Sequence, residues 1–79
     1  MNTRWILFHL REAQAELSDT IKRLESTPPE DDAEFRVAIG HLYTHLNTAW
    51  NSRHATDAQT VNDEEYSGWR EFPTDISMP

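Results

Sequence analysis

Three of the four histidines in this 79-residue chain lie in one stretch, HLYTHLNTAWNSRH, residues 41–54. His41 and His45 are four residues apart, so on a helix they share one edge and could hold a single metal ion. His9 could supply a third nitrogen ligand. The stretch contains no carboxylate and the chain no cysteine. One hypothesis is therefore a divalent metal site at His9, His41 and His45. The alternative is that the rings cap the edge of a packed core.

A second edge of the same stretch has the residue types of a pocket for an anionic or planar ligand. An arginine suits a carboxylate, and aromatic rings provide an apolar wall. The candidate residues are Tyr43, Asn47, Trp50, Arg53 and His54. The alternative is structural, with the aromatic rings filling the core. Arg53 would then pair with an acid such as Asp57 or one in the acidic tail, because a buried arginine needs a partner.

Catalytic chemistry has little support in the sequence. There is no nucleophile elbow, glycine-rich phosphate loop or carboxylate pair at a recognisable spacing. Ser52, Arg53 and His54 are consecutive, but successive helical side chains point about 100° apart and do not form a triad. We predict that the chain is not an enzyme and has no resident cofactor, unless a divalent metal binds the histidines.

The charge balance bears on partners and location. Fourteen acidic residues against seven lysines and arginines give a net charge of −7, which disfavours nucleic acid and anionic membranes. The apolar run at residues 5–8 is shorter than the roughly 7–15 residues of a signal-peptide core and far below a membrane span. A cytoplasmic location is the expectation.

The first element that must position these side chains is a helix predicted over about residues 3–26. Its apolar residues recur every three or four positions, which is typical of one helical stripe. Trp5 and Phe8 fall outside that stripe and need some other cover. The stripe consists of Ile6, Leu10, Ala13, Leu17, Ile21 and Leu24.

A second helix is predicted over about residues 30–55. Pro28 and Pro29 end the first helix, and the acids that follow suit a helix N-terminus. So short a connection favours an antiparallel helical hairpin. The core stripe predicted for this helix is Phe35, Ala38, Ile39, Leu42, Leu46, Ala49 and Trp50.

The opposite face of this second helix carries small or uncharged residues. Glycine costs about 1 kcal/mol against alanine within a helix, so such a back predicts that another helix approaches closely. We expect two hairpins to pair there into a homodimeric four-helix bundle. The predicted dimer interface consists of Trp5, Phe8, Val37, Gly40, Thr44 and Thr48.

The C-terminal part predicts a short third helix over about residues 63–70, after a polar connector at 56–61. Asn62 is the expected N-cap, with Glu65 at the third helical position. Residues 73–79 are expected to be frayed. The fold prediction for residues 1–79 is a single all-α domain, a helical hairpin with a short C-terminal helix folded across it.

The segment HLYTHLNTAWNSR, with WREFP near the C-terminus, resembles small bacterial helical proteins of unknown function. The resemblance implies a compact cytoplasmic helical protein and assigns no site. The leading functional hypothesis is a non-catalytic interaction or structural module that acts as a homodimer and contacts another protein. The alternative is a small protein that binds a metal or an anionic ligand through the 41–54 face.

Overall fold

Helices alone make up the regular structure of this protein. The computed structural model describes residues 1–79 and contains no strand, which confirms the all-α prediction. The helices are α1 (Thr3–Ser26), α2 (Ala33–Asn51), α3 (Asp57–Thr60) and α4 (Asp63–Trp69).

Local hydrogen bonds determine where the helices begin. The Asn2 side chain accepts from the backbone N–H of Trp5 and starts α1. The Asn62 side chain accepts from the N–H groups of Glu64 and Glu65, which confirms it as the N-cap of α4. Each bond satisfies a backbone donor that a helix start would otherwise leave free.

The predicted polar connector contains the one-turn helix α3. The Thr56 side chain accepts from the backbone N–H of Gln59, and the Gln59 side chain accepts from the backbone N–H of Thr56. This reciprocal pair is a capping box, and its Thr-x-x-Gln spacing was present in the sequence. The prediction of a polar connector did not include this helix.

The second helix is shorter than predicted at both ends. It begins at Ala33, whose N–H donates to the Asp31 side chain. It ends at Asn51, and the chain turns away over residues 52–54, where the Arg53 N–H donates to the Trp50 carbonyl three residues back. The predicted end near residue 55 was therefore about four residues too far along the chain.

Helices α1 and α2 contact each other along their length. The Asn2 N–H donates to the Arg53 carbonyl at 2.6 Å, and Trp5 Nε1 donates to Ser52 Oγ at 2.7 Å. Further along, His9 meets His45. The start of α1 therefore lies beside the end of α2.

Apart from Ala13 and Ala49, the buried residues between α1 and α2 do not belong to the predicted apolar stripes. On α1 the inward residues are small or polar: His9, Ala13, Glu16 and Thr20. Four leucines and isoleucines of the predicted stripe are 40–49 % exposed, as are Phe35 and Leu46 of α2; the four are Leu10, Leu17, Ile21 and Leu24. The prediction of a core stripe at these positions is wrong for the single chain, because the smaller side chains occupy the space between the helices.

Helix α4 packs on the C-terminal half of α2. Asn47 Nδ2 donates to the Arg70 carbonyl at 3.0 Å, and Asn51 Nδ2 donates to the carbonyls of Trp69 and Glu71. These bonds satisfy carbonyl groups at the end of α4 that have no partner within the helix. Two asparagine side chains thus hold the third predicted helix in place.

Candidate functional site

The structure brings together two of the three histidines that were predicted to bind a metal ion. His9 and His45 lie with their Nδ1 atoms 3.0 Å apart, so one ring must donate Nδ1–H to the other. His41 lies elsewhere, with its Nδ1 3.8 Å from a Glu16 carboxylate oxygen. No group of three histidine, aspartate or glutamate side chains is arranged to hold a metal ion. The structure therefore offers two nitrogen ligands where a stable site needs three or four.

His9 is enclosed by aromatic rings. Its side chain is 1 % exposed, with Trp5 at 4.4 Å, Phe8 at 5.1 Å and Tyr66 at 6.0 Å between ring centroids. Burial, and to a lesser extent the neighbouring His45, lowers the pKa of His9 to about 4. His9 Nε2 has no hydrogen-bond partner. This ring is held neutral at the junction of α1, α2 and α4.

The arginine edge is occupied by the chain's own tail. The Arg53 guanidinium lies 3.8 Å from the centroid of the Trp50 ring and 3.7 Å from an Asp75 carboxylate oxygen, and it donates to the Trp50 carbonyl. Trp50 Nε1 also donates to Asp75 at 2.9 Å. Asp75 lies in the 73–79 segment that was predicted to be frayed, and its side chain is exposed. The hydrogen bond from Trp50 is the main cause that lowers the pKa of the Asp75 carboxyl, followed at smaller weight by Arg53.

The other residues of the predicted ligand pocket are dispersed. Tyr43 packs against Phe72, with centroids 4.8 Å apart, and the Asn47 amide is buried and bonded to the end of α4. His54 is exposed. The structure thus brings Trp50 and Arg53 together and places the remaining three candidates in separate contacts.

Sequence reasoning did not single out two residues that are central in the structure, Ser52 and Asp75. Ser52 is 2 % exposed, accepts from Trp5 and donates to the Thr48 carbonyl, so its hydroxyl has two internal partners. Asp75 belongs to no repeating sequence pattern that could have identified it as a site residue. Asn2, by contrast, stands just before an apolar segment, which is an N-cap signal that could have been used.

The predicted dimer back of α2 divides into two halves. Thr48 is fully buried inside the chain, where α4 is held beside it by Asn47, so its assignment to a dimer interface was wrong. A helix does approach this back, but it comes from the same chain. Val37 is 58 % exposed, and a Cβ added at Gly40 would meet nothing within 4 Å. Thr44, between these halves, is half-buried and its hydroxyl donates to the Gly40 carbonyl.

Trp5 and Phe8, the remaining two predicted interface residues, belong to the aromatic cluster. Trp5 lies 6.4 Å from both Tyr66 and Trp69 between centroids and stacks on Phe8 at 6.0 Å. Trp5 is half-buried, whereas Phe8 is exposed at the margin of the cluster. Most of the cover that Trp5 needed is therefore supplied by α4.

No family model, curated protein or solved structure is significantly similar to this chain. The resemblance to small bacterial helical proteins stays a prediction. No helix is both long and apolar enough to cross a lipid bilayer.

Proposed function

We propose that this protein is a non-catalytic helical module that acts as a homodimer, with its α1–α2 antiparallel hairpin paired to that of a second copy in a four-helix bundle. The observation that carries the proposal is one exposed apolar surface. This apolar face comprises Leu10, Leu17, Ile21 and Leu24 of α1, Phe35 and Leu46 of α2, and the half-buried Ile39 and Leu42 between them.

The two halves of the apolar face lie on the same side of the helix pair. On each helix, the apolar residues follow the inward-facing residues by roughly a quarter of a turn. Because the two helices run in opposite directions, the same rotation about each helix axis places both apolar stripes on one side of the helix pair. Leu24 and Phe35 line a shared cleft near the α1–α2 connection, where the two stripes come closest in sequence.

The size of the exposed surface supports a partner. A compact 9.2 kDa monomer exposes about 4,900 Å² by the general scaling of surface with mass, whereas this chain exposes 6255 Å². The excess, about 1,300 Å², exceeds the roughly 800 Å² that each partner buries in a standard interface. The radius of gyration is 14.3 Å, against about 12 Å for a compact domain of this length.

The interior of the single chain is too small to account for a stable fold. The only buried apolar residues are Ala13 and Ala49. Small domains that lack disulfides or metals commonly gain stability from oligomerisation. A second copy is the simplest partner, because it presents an apolar face of the same length and pattern.

The test compares two exposed positions. We expect Leu17→Glu, at the centre of the apolar face, to convert the dimer into a monomer, because the interface would then bury an unpaired carboxylate from each copy. Val37→Glu is the matched control on the α2 back, and the dimer should persist. Light scattering during size-exclusion chromatography measures both. A Leu17→Glu protein that remains dimeric would contradict the proposal.

A further inference from the structure

We infer that the two copies pair with their α1–α2 connections at opposite ends of the bundle, so that each connection lies near Arg53 of the partner. The inference rests on the homodimer proposed above and specifies its orientation. Three observations carry it: the charge of the connection, the spacing of the leucines on α1, and the place of Arg53 just beyond the end of α2.

The connection between the long helices is strongly acidic. Residues 25–34 contain five carboxylates and no lysine, arginine or histidine: Glu25, Glu30, Asp31, Asp32 and Glu34. All five are exposed, and none takes part in an ion pair. A dimer with both connections at one end would gather ten unpaired carboxylates there. Opposite ends keep the two groups apart, since like charges repel and screening is only partial within about 10 Å.

The apolar residues of α1 suit a reversed pairing. Leu10, Leu17 and Leu24 are spaced seven residues apart, which is the repeat of helices packed at a shallow angle. A two-fold axis that crosses α1 at Leu17 places Leu10 against the partner's Leu24. The leucines of the two α1 helices thus remain in contact when these two helices run antiparallel, and no apolar contact is lost in this orientation.

The end of the apolar face remote from the connection carries a positive charge. Arg53 lies two residues beyond the end of α2, and its guanidinium lies 3.8 Å from the centroid of the Trp50 ring, which is four residues after Leu46 on that helix. Its side chain is partly exposed, with Asp75 at 3.7 Å as its only carboxylate partner. Reversed pairing brings the partner's acidic connection toward this guanidinium.

The experiment measures the distance between two nitroxide spin labels by pulsed electron paramagnetic resonance. The chain has no cysteine, so Thr27→Cys introduces one labelling site per copy, directly after α1. Thr27 lies ten residues beyond Leu17, which is about 15 Å along the helix and about 30 Å between the two copies in reversed pairing. Connections at the same end would place the labels within about 20 Å, the width of two packed helices.

The outcomes separate the orientation from the dimer itself. Ser18→Cys is the control, because this position is next to the axis and should give a distance below about 20 Å in any dimer through the apolar face. A long Thr27 distance with a short Ser18 distance supports the inference. Short distances at both positions overturn the orientation but keep the homodimer. No dipolar coupling at either position overturns both.

Discussion

The two sides of the α1–α2 pair are completed in different ways. The covered side, where α4 packs, is formed by Trp5, His9, Asn47, Asn51 and Ser52, whose polar atoms bond mainly within the chain. The apolar face on the other side has no element of the chain over it, and its leucines are nearly half exposed. One side uses hydrogen bonds and aromatic contacts, while the other offers apolar area.

This difference separates the side whose contacts the chain supplies itself from the side that we propose a second copy covers. The polar side chains of the covered side have hydrogen-bond partners within the chain, so they can be buried away from water. Exposed leucines on a long face contribute little until something removes them from water. The chain's own packing therefore explains the covered side, and the proposed dimer explains the apolar face.

The largest effect is expected from breaking the covered side at Trp5. Trp5→Ala removes the hydrogen bond to Ser52 and the contacts with His9, Tyr66 and Trp69. We expect a loss of about 3 kcal/mol in the free energy of unfolding, typical of a large aromatic truncated to alanine. Urea denaturation measures it.

Leu10→Ala on the apolar face is the corresponding test for the other side of the helix pair. Its cost should appear at protein concentrations where the dimer forms and should nearly vanish under dilution, because dimer stability depends on concentration. The cost of Trp5→Ala should be similar at both concentrations. Equal behaviour of the two variants under dilution would remove the distinction between the two sides.

The next largest effect is a dependence of stability on pH through His9. The folded state holds the pKa of His9 at about 4, below the ordinary value of 6.5. Between pH 6.5 and pH 4, His9 binds a proton in the unfolded chain but not in the folded chain. The stability of the fold is therefore fully present above about pH 6.5 and falls as the pH drops toward 4. The loss amounts to about 3 kcal/mol at most.

Two variants isolate this contribution. His9→Gln should be less stable at pH 7 and should lose less stability on acidification, because the buried titrating group is gone. His54→Gln is the matched control at an exposed histidine and should keep the wild-type pH dependence. Denaturation at a series of pH values gives the comparison. If His9→Gln and His54→Gln show the same pH dependence, the buried pair is not the cause.

A smaller effect is expected where Asn51 holds the end of α4. Asn51→Ala removes donors to the carbonyls of Trp69 and Glu71, which lie 2.9 and 2.7 Å away. We expect a cost of about 1–2 kcal/mol. Amide hydrogen exchange should become faster in α4 while α1 keeps its protection. Uniformly faster exchange in all helices would argue against a local role.

The smallest effect is expected at the tail. Asp75→Ala removes the acceptor of the Trp50 indole N–H and the partner of Arg53. Because this pair is exposed, the melting temperature should hardly change. The Trp50 indole resonance should move in the NMR spectrum as it loses its hydrogen bond. A large fall in melting temperature would show that the tail contributes more than an exposed ion pair can.

The sequence was a good guide to the helices and a poor guide to which of their faces is inside. Periodicity found both long helices, and capping residues located the start of α4 and could have located α3. Ala13 and Ala49 of the predicted core stripes are buried, but most of the large side chains of those stripes are exposed in the single chain, because periodicity shows that a face is apolar but not what covers it. His9 and Thr20 lie inward instead, and a single sequence gives no sign that polar side chains will occupy the contact between two helices.

The candidate site was predictable only in part. Spacing placed His41 and His45 on one helix edge, but the pairing of His45 with His9 depends on how α1 lies against α2. The pairing of Arg53 with an acid from the tail followed from the cost of leaving its charge without a partner. The choice of Asp75 did not follow, because the path of residues 70–75 depends on where Asn47 and Asn51 hold α4.

Sedimentation equilibrium of the untagged wild-type protein over a range of concentrations tests the proposed homodimer most directly. The account predicts a species of about 18 kDa, twice the 9.2 kDa chain, that dissociates only on dilution. A single 9.2 kDa species at every concentration would contradict it, because the apolar face would then remain exposed to water in the folded protein.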